Sequence, residues 1–297
     1  MNIAIVGLGG VGGYIGAQLT KTSHHITFIT RAKDCKVILK NGITVIEDNS
    51  TYSVFSDDVT DKSEIVFDLI FLTVKSYDIN NAISSLKSNI SKHTIIIPLS
   101  NGVEHTKNIK NLCNATVLNS CVYILAHLES KGVVRKKGET FALIFGNQNE
   151  TANIIVSQLL DEAQLRYKNP KNYEVAVWKK YIFITTYASL TSYHDKSIYR
   201  IVSEHLEENR ALLKEINEVA KAMGIDIEDE IEKSIKTALK LPHDASTSMH
   251  LDFQKKRKTE LETLSGYMIK MAKQYKVEVP IMLKIYSKLK SLENSMI

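Results

Sequence analysis

The chain's 297 residues are 44% hydrophobic and 24% charged, the proportions of a soluble globular protein long enough for two cores. A formal net charge of +5, spread along the chain, suits a small anionic ligand and makes no case for nucleic acid. Three cysteines without metal-type spacing, no basic-then-apolar leader and no apolar run of about eighteen residues point away from disulfides, metal sites, secretion and membrane spanning, toward a cytoplasmic protein.

Asn2–Val6 predicts a short buried strand, Gly7-Leu8-Gly9-Gly10-Val11-Gly12 follows without a spacer, and an apolar helix is expected over 14–19. A GxGxxG run between a strand and a helix is a dinucleotide fingerprint. Gly7 permits the tight turn, Gly9 lets the backbone approach a pyrophosphate, and Gly12 lets the helix close on the strand. The free N–H groups at the helix start then face the phosphates. A purely structural glycine turn is the alternative. The second strand is expected at His25–Ile29. NAD-specific folds place Asp or Glu about twenty residues past the glycines, whereas Thr30-Arg31 stand here with Lys33 close by. A carboxylate would repel a 2′-phosphate and a guanidinium can grip it, so Arg31 marks NADP(H); otherwise it is a solvated loop residue.

Residues 42–46 are β-like within a polar stretch. Residues 67–74 read as a strongly apolar strand, 78–89 as a helix, and 94–99 and 116–118 as further strands. Apolar strands alternating with helices predict a parallel sheet covered on both faces. Residues 122–145 have β character, with turns at Lys131-Gly132 and Lys137-Gly138, and would close the same domain with antiparallel strands. Beyond Asn169-Pro170-Lys171-Asn172 the pattern is helical: 173–188, 204–223, 227–240 and 256–276 show 3.6-residue periodicity. Gly224 reads as a C-cap and Pro242 as a break. The expected fold is α/β: a Rossmann-type dinucleotide-binding domain over 1–170, then an all-helical domain over 171–297, with substrate in the cleft between them.

In open α/β sheets, ligands gather at the C-terminal ends of strands. Two loops besides the glycines are expected there, Thr73-Val74-Lys75-Ser76 and Leu99-Ser100-Asn101-Gly102. Lys75 can reach a phosphate or ribose oxygen as a compact cation. Asn101 offers a donor and an acceptor beside a nicotinamide. Farther on, Trp178-Lys179-Lys180-Tyr181 places two lysines in an apolar helix. A lysine against an apolar wall has its charged form disfavoured and becomes a usable proton donor; alternatively both snorkel to water. Ser246-Thr247-Ser248-Met249 precede a carboxylate-bearing helix, in which Glu260 is either an inward acid or an ordinary surface charge.

Taken in order, these residues resemble the ketopantoate reductases (2-dehydropantoate 2-reductases), over essentially the whole chain. The likeness rests on GLGGVGG, Arg31, Val74-Lys75, Asn101-Gly102, Trp178-Lys179-Lys180, Ser248, Thr259-Glu260 and Val279-Pro280. It implies NADPH-dependent reduction of ketopantoate to pantoate, a step toward pantothenate. The family's catalytic lysine falls on Lys180, its glutamate on Glu260, its asparagine on Asn101, its loop lysine on Lys75 and its substrate-contacting serine on Ser248. Members of the family carry substrate-binding asparagines four and eight residues after the catalytic lysine, where this chain has Ile184 and Ala188. A different small 2-oxo acid is therefore an alternative substrate. A catalytically inactive NADPH-binding protein is a further alternative, against which Lys180 and Glu260 argue. Whether the chain forms a homodimer is left open.

Overall fold

The structure, a computed structural model describing residues 1–56 and 58–296, begins with strand β1 (Asn2–Val6), helix α1 (Gly10–Leu19), β2 (His25–Ile29) and α2 (Ala32–Asn41). It continues through β3 (Ile43–Ile46), β4 (Thr51–Val54), β5 (Val59–Thr60), β6 (Leu69–Leu72), α3 (Ile79–Ser85), β7 (Ile95–Pro98), α4 (His105–Lys110) and β8 (Thr116–Val117). A long hairpin of β9 (Asn119–Ser130) and β10 (Val133–Gly146) follows, then α5 (Glu150–Glu162) and β11 (Tyr167–Lys168).

Six of these strands form a parallel sheet in the order β5-β2-β1-β6-β7-β8. Every residue of β6 and β7 is buried, as expected of central strands covered on two faces. Strand order reverses at β1, between β2 and β6, and the register matters there. Val6 lies opposite both Ile29 and Leu72, and Leu72 opposite Pro98. Four strands thus end level, so the loops that begin at Gly7, Thr30, Thr73 and Leu99 leave one edge of the sheet. That edge is where open α/β sheets collect ligands.

The hairpin does not close this sheet. It builds a second one, in which β10 pairs β9 antiparallel and β3 and β11 in parallel. Lys137-Gly138, expected as a turn, does not end a strand: the pairing register shifts between Lys136 and Phe141, and β10 runs on past it. α1 is wedged between the sheets. A Cβ on Gly13 would lie 2.5 Å from Val134 Cγ2, and one on Gly16 2.7 Å from Phe28 Cε1. Helix α5 has its cap in the sequence, since the Asn149 side chain accepts from Ala152 N.

The remaining elements are helices: α6 (Tyr173–His194), α7 (Ile198–Glu204), α8 (Leu206–Ala222), α9 (Glu230–Leu239), α10 (Ser248–Gln254), α11 (Tyr267–Tyr275) and α12 (Pro280–Met296). The helix expected over 204–223 is α8; α7 precedes it, and the chain leaves helical geometry between them at His205 (φ −133°). The stretch expected as one helix over 256–276 is helical only in its later part. Lys256 adopts φ +49°, and a π-helical turn, Glu262–Gly266, leads into α11. Residues 1–100 and 105–173 form one compact unit, and Asn101–Glu104 belong with the helices from Glu174 onward. Asn101, within the domain expected over 1–170, thus clusters with the helices. Among the described residues no helix is long and apolar enough to cross a membrane.

Candidate active site

In the sheet-bearing unit the glycine loop is shaped by what its side chains lack. Gly7 has φ +94°, a conformation L side chains rarely adopt, and its N–H donates to Ile29 O at 3.0 Å. A Cβ on Gly12 would stand 2.0 Å from Gly7 O and 2.3 Å from Thr73 Oγ1, so only glycine allows α1 to approach this closely. Thr73 clasps the loop: its hydroxyl lies 2.6 Å from Gly7 O and 2.9 Å from Val6 O. The space beside Gly9 is open, with nothing among the described residues within 4 Å of where its Cβ would be. Gly9 is also the N-cap of α1 and offers no side-chain cap, and the first turn of α1 has no acid. Uncapped N–H groups beside the open space at Gly9 fit a pyrophosphate.

Arg31 follows the end of β2 as the N-cap of α2. Its side chain is 78% exposed, with Nε 3.3 Å from Oδ2 of the buried Asp34. Lys131 places Nζ 2.6 Å from the other oxygen of that carboxylate. The contact with Lys131, outweighing burial, holds the Asp34 carboxyl below its ordinary range. Lys75 is half-buried in an extended conformation (φ −61°, ψ 148°) just before a short 3₁₀ turn, Ser76–Asp78.

In the helical unit the two adjacent lysines part company. Lys179 turns toward an acidic pair, 3.1 Å from Asp229 Oδ2 and 3.2 Å from Glu230 Oε1. Partial burial works against its charge, but hydrogen bonds to these two carboxylates leave its ammonium titrating above the usual range. Lys180 faces the other way and donates from Nζ to Asn101 Oδ1 at 3.2 Å. Asn101 Nδ2 lies 3.5 Å from Oε2 of Glu260, a carboxylate only 3% exposed. An amide oxygen toward the lysine and an amide nitrogen toward the carboxylate is the one orientation that satisfies both ends.

The supports of this trio come from the neighbouring residues. Tyr181 donates to Leu264 O at 2.6 Å, inside the π-helical turn that follows Glu260, and packs edge-on to Trp178 and Tyr267. One turn of π-helix leaves a carbonyl without its usual partner, and such turns cluster at functional sites. Thr259, beside Glu260, donates its hydroxyl to buried Glu293 of α12 and receives the Leu261 N–H at 3.2 Å. Ser248 is exposed in the first turn of α10, and among the described residues no hydrogen bond joins it to the trio. Its turn is braced on the end of α6 by Thr247 with Thr191 (2.9 Å) and by His250, which pairs with Asp195 and Ser246 at 2.7 Å each. Farther along α6 from Lys180, Ile184 is half-buried and Ala188 1% exposed, both against the helical core.

Two family models match the chain: "Ketopantoate reductase PanE/ApbA" over residues 3–150 and "Ketopantoate reductase PanE/ApbA C terminal" over 172–293. The chain belongs to the ketopantoate reductase family. An uncharacterized oxidoreductase of Bacillus subtilis, YkpB, is 26% identical over 99% of both chains. The 2-dehydropantoate 2-reductase of Pyrococcus horikoshii is 25% identical over 99% of this chain and 98% of its own. A crystal structure of a PanE/ApbA family ketopantoate reductase from Ralstonia eutropha superimposes with a TM-score of 0.92 at 23% identity, covering 100% of this chain and 99% of that one. Membership makes the protein one of a family of dinucleotide-binding oxidoreductases. In sequence Thr73 is only the first residue of the Thr73-Val74-Lys75-Ser76 loop and Lys131 only part of a turn; the contacts of Thr73 with Gly7, Lys131 with Asp34 and Glu293 with Thr259 arise through the fold.

Proposed function

We propose that the protein uses NADPH to reduce the ketone of a small 2-oxo acid to a 2-hydroxy acid, and that the acid is ketopantoate, converted to pantoate on the route to pantothenate. The observation that carries this reading is the Lys180–Asn101–Glu260 chain, one lysine held inward by an amide whose other end meets a buried carboxylate. A binding module needs no such arrangement.

A bound reduced nicotinamide supplies hydride to the carbonyl carbon. In this reading the loop of Gly7, Leu8, Gly9, Gly10, Val11 and Gly12 holds the pyrophosphate, Arg31 the 2′-phosphate and Lys75 a ribose or phosphate oxygen. Lys180 Nζ donates a hydrogen bond to the ketone oxygen, and its charge favours the negative charge that develops there. It then gives that oxygen its proton and is left neutral, regaining a proton from water. Glu260 fixes the amide of Asn101, and Asn101 fixes the lysine. Ser248 receives the carboxylate end of the substrate.

A second reading, the same reaction on another 2-oxo acid, is favoured by the apolar Ile184 and Ala188 along α6. Steady-state oxidation of NADPH and NADH with a panel of 2-oxo acids tests both. Ketopantoate turnover with NADPH supports the first, turnover of another acid alone supports the second, and no turnover with any acid overturns both.

A further inference from the structure

We infer that Lys131 is a second cation for the cofactor's 2′-phosphate, held ready beside Arg31 by the buried carboxylate of Asp34. The inference rests on the NADP reading given above and adds to it a residue from a distant segment.

Arg31 and Lys131 are 100 positions apart, and the fold brings both to one carboxylate. The tip of the β9–β10 hairpin carries Lys131-Gly132 and docks where α2 hands over to β3. Gly132 O accepts from Thr44 N at 2.7 Å, and a Cβ on Gly132 would lie 2.8 Å from Gly42 O. Asp34 stands in the first turn of α2, with one oxygen toward each cation: Oδ1 at 2.6 Å from Lys131 Nζ and Oδ2 at 3.3 Å from Arg31 Nε. Two positive charges share one negative charge, so the cluster keeps a net charge of +1. It sits at the end of β2, the place from which a dinucleotide fold recognises the 2′ position of the ribose.

The exposures point the same way. Asp34's side chain is 8% exposed, whereas those of Lys131 and Arg31 are 50% and 78% exposed. The carboxylate is therefore turned inward, away from an arriving anion, and the cations are presented outward. Because Arg31 is engaged through Nε, its terminal nitrogens remain for bidentate contact with phosphate. Lys131 adds a compact charge beside them.

The test uses the fragment 2′,5′-ADP, which carries the 2′-phosphate, and 5′-AMP, which lacks it, with affinities read by calorimetry on the full chain. The unmodified protein should prefer 2′,5′-ADP. Lys131→Ala should weaken 2′,5′-ADP by about tenfold and leave 5′-AMP unchanged, in keeping with the loss of one charge-assisted contact. Lys131→Arg should recover most of the loss. If Lys131 only ties the hairpin to α2, the alanine variant will lower the melting temperature and leave the ratio of the two affinities alone, which overturns the inference. If the unmodified protein does not distinguish the two ligands, the NADP reading itself falls, and a preference that survives Lys131→Ala removes only this residue from it.

Discussion

Lys180 Nζ and Asn101 Oδ1 stand 3.2 Å apart, although 79 positions separate the two residues in sequence. The contact gives Lys180 a direction that its helix alone does not. Neighbouring positions on an α-helix point about 100° apart, so Lys179 and Lys180 cannot serve the same site. Lys179 is already committed to Asp229 and Glu230.

The two lysines should therefore behave differently. Lys180→Ala is expected to lower turnover by about two to four orders of magnitude, the usual worth of general acid catalysis, with little change in NADPH affinity. Lys179→Ala should keep turnover and lose only a partly exposed ion pair, worth about 0–1 kcal/mol. Steady-state kinetics on the pair decides it, and a turnover defect confined to Lys179→Ala would remove Lys180 from the proton-donor role.

Gly12→Ala probes the glycine loop. The added methyl would meet Gly7 O at 2.0 Å and Thr73 Oγ1 at 2.3 Å, and one of those is backbone that cannot swing aside. Forcing α1 outward should cost about 1–3 kcal/mol of stability, the range for overpacking, and displace the N–H groups offered to phosphate. A fluorescence titration with NADPH should show weakened binding. Unchanged affinity would mean that the loop tolerates the shift and that its close packing does not set the cradle.

The glycine loop, the strand ends and the order of the strand-bearing and helical parts were legible because they depend on local signals: glycine spacing, apolar runs and periodicity. The second sheet was not, because a hairpin's sequence does not reveal which elements it joins, and β10's partner β3 lies far from it in sequence. Residue types alone leave Lys180 and Glu260 each open between an inward and a solvated role, and only the resemblance assigns them roles. What separated Lys179 from Lys180 was Asp229-Glu230 on one side and Asn101 on the other, all distant in sequence.

Alkaline pH should loosen the helical unit through its buried tyrosines. Burial pushes the Tyr187 hydroxyl up to about 12, against a weaker lowering by Asn209. A folded-state value above the unfolded one means that the native state holds the proton more tightly. The contribution is therefore complete below about pH 10 and is lost as pH rises from 10 toward 12. For the fully buried Tyr187 this amounts to roughly 2–3 kcal/mol. Urea unfolding at successive pH values should show the loss in the unmodified protein and a shallower one in Tyr187→Phe. Parallel curves for the two would assign the alkaline loss to other groups.

The face of α6 beyond Lys180 bears on the choice of acid. Ile184 and Ala188 lie one and two turns past the lysine and pack against the helical core, where the resemblance places substrate-binding asparagines. An apolar wall leaves a substrate hydroxyl without a partner, at a cost of about 1–3 kcal/mol. Ketopantoate carries such a hydroxyl. Its Michaelis constant should therefore be high here, and an analogue with methyl in place of the hydroxyl should be penalised less than by an enzyme with the asparagines. Ile184→Asn with Ala188→Asn should shift the ratio of kcat/KM values toward ketopantoate. Ala188 is 1% exposed, so the larger side chain must displace neighbours. Ile184→Asn alone, at a half-buried position, keeps the experiment informative if the double variant does not fold. A strong preference of the unmodified enzyme for ketopantoate over the hydroxyl-free analogue would mean that polar groups elsewhere in the site already bind the hydroxyl. The apolar wall would then leave the substrate unchanged.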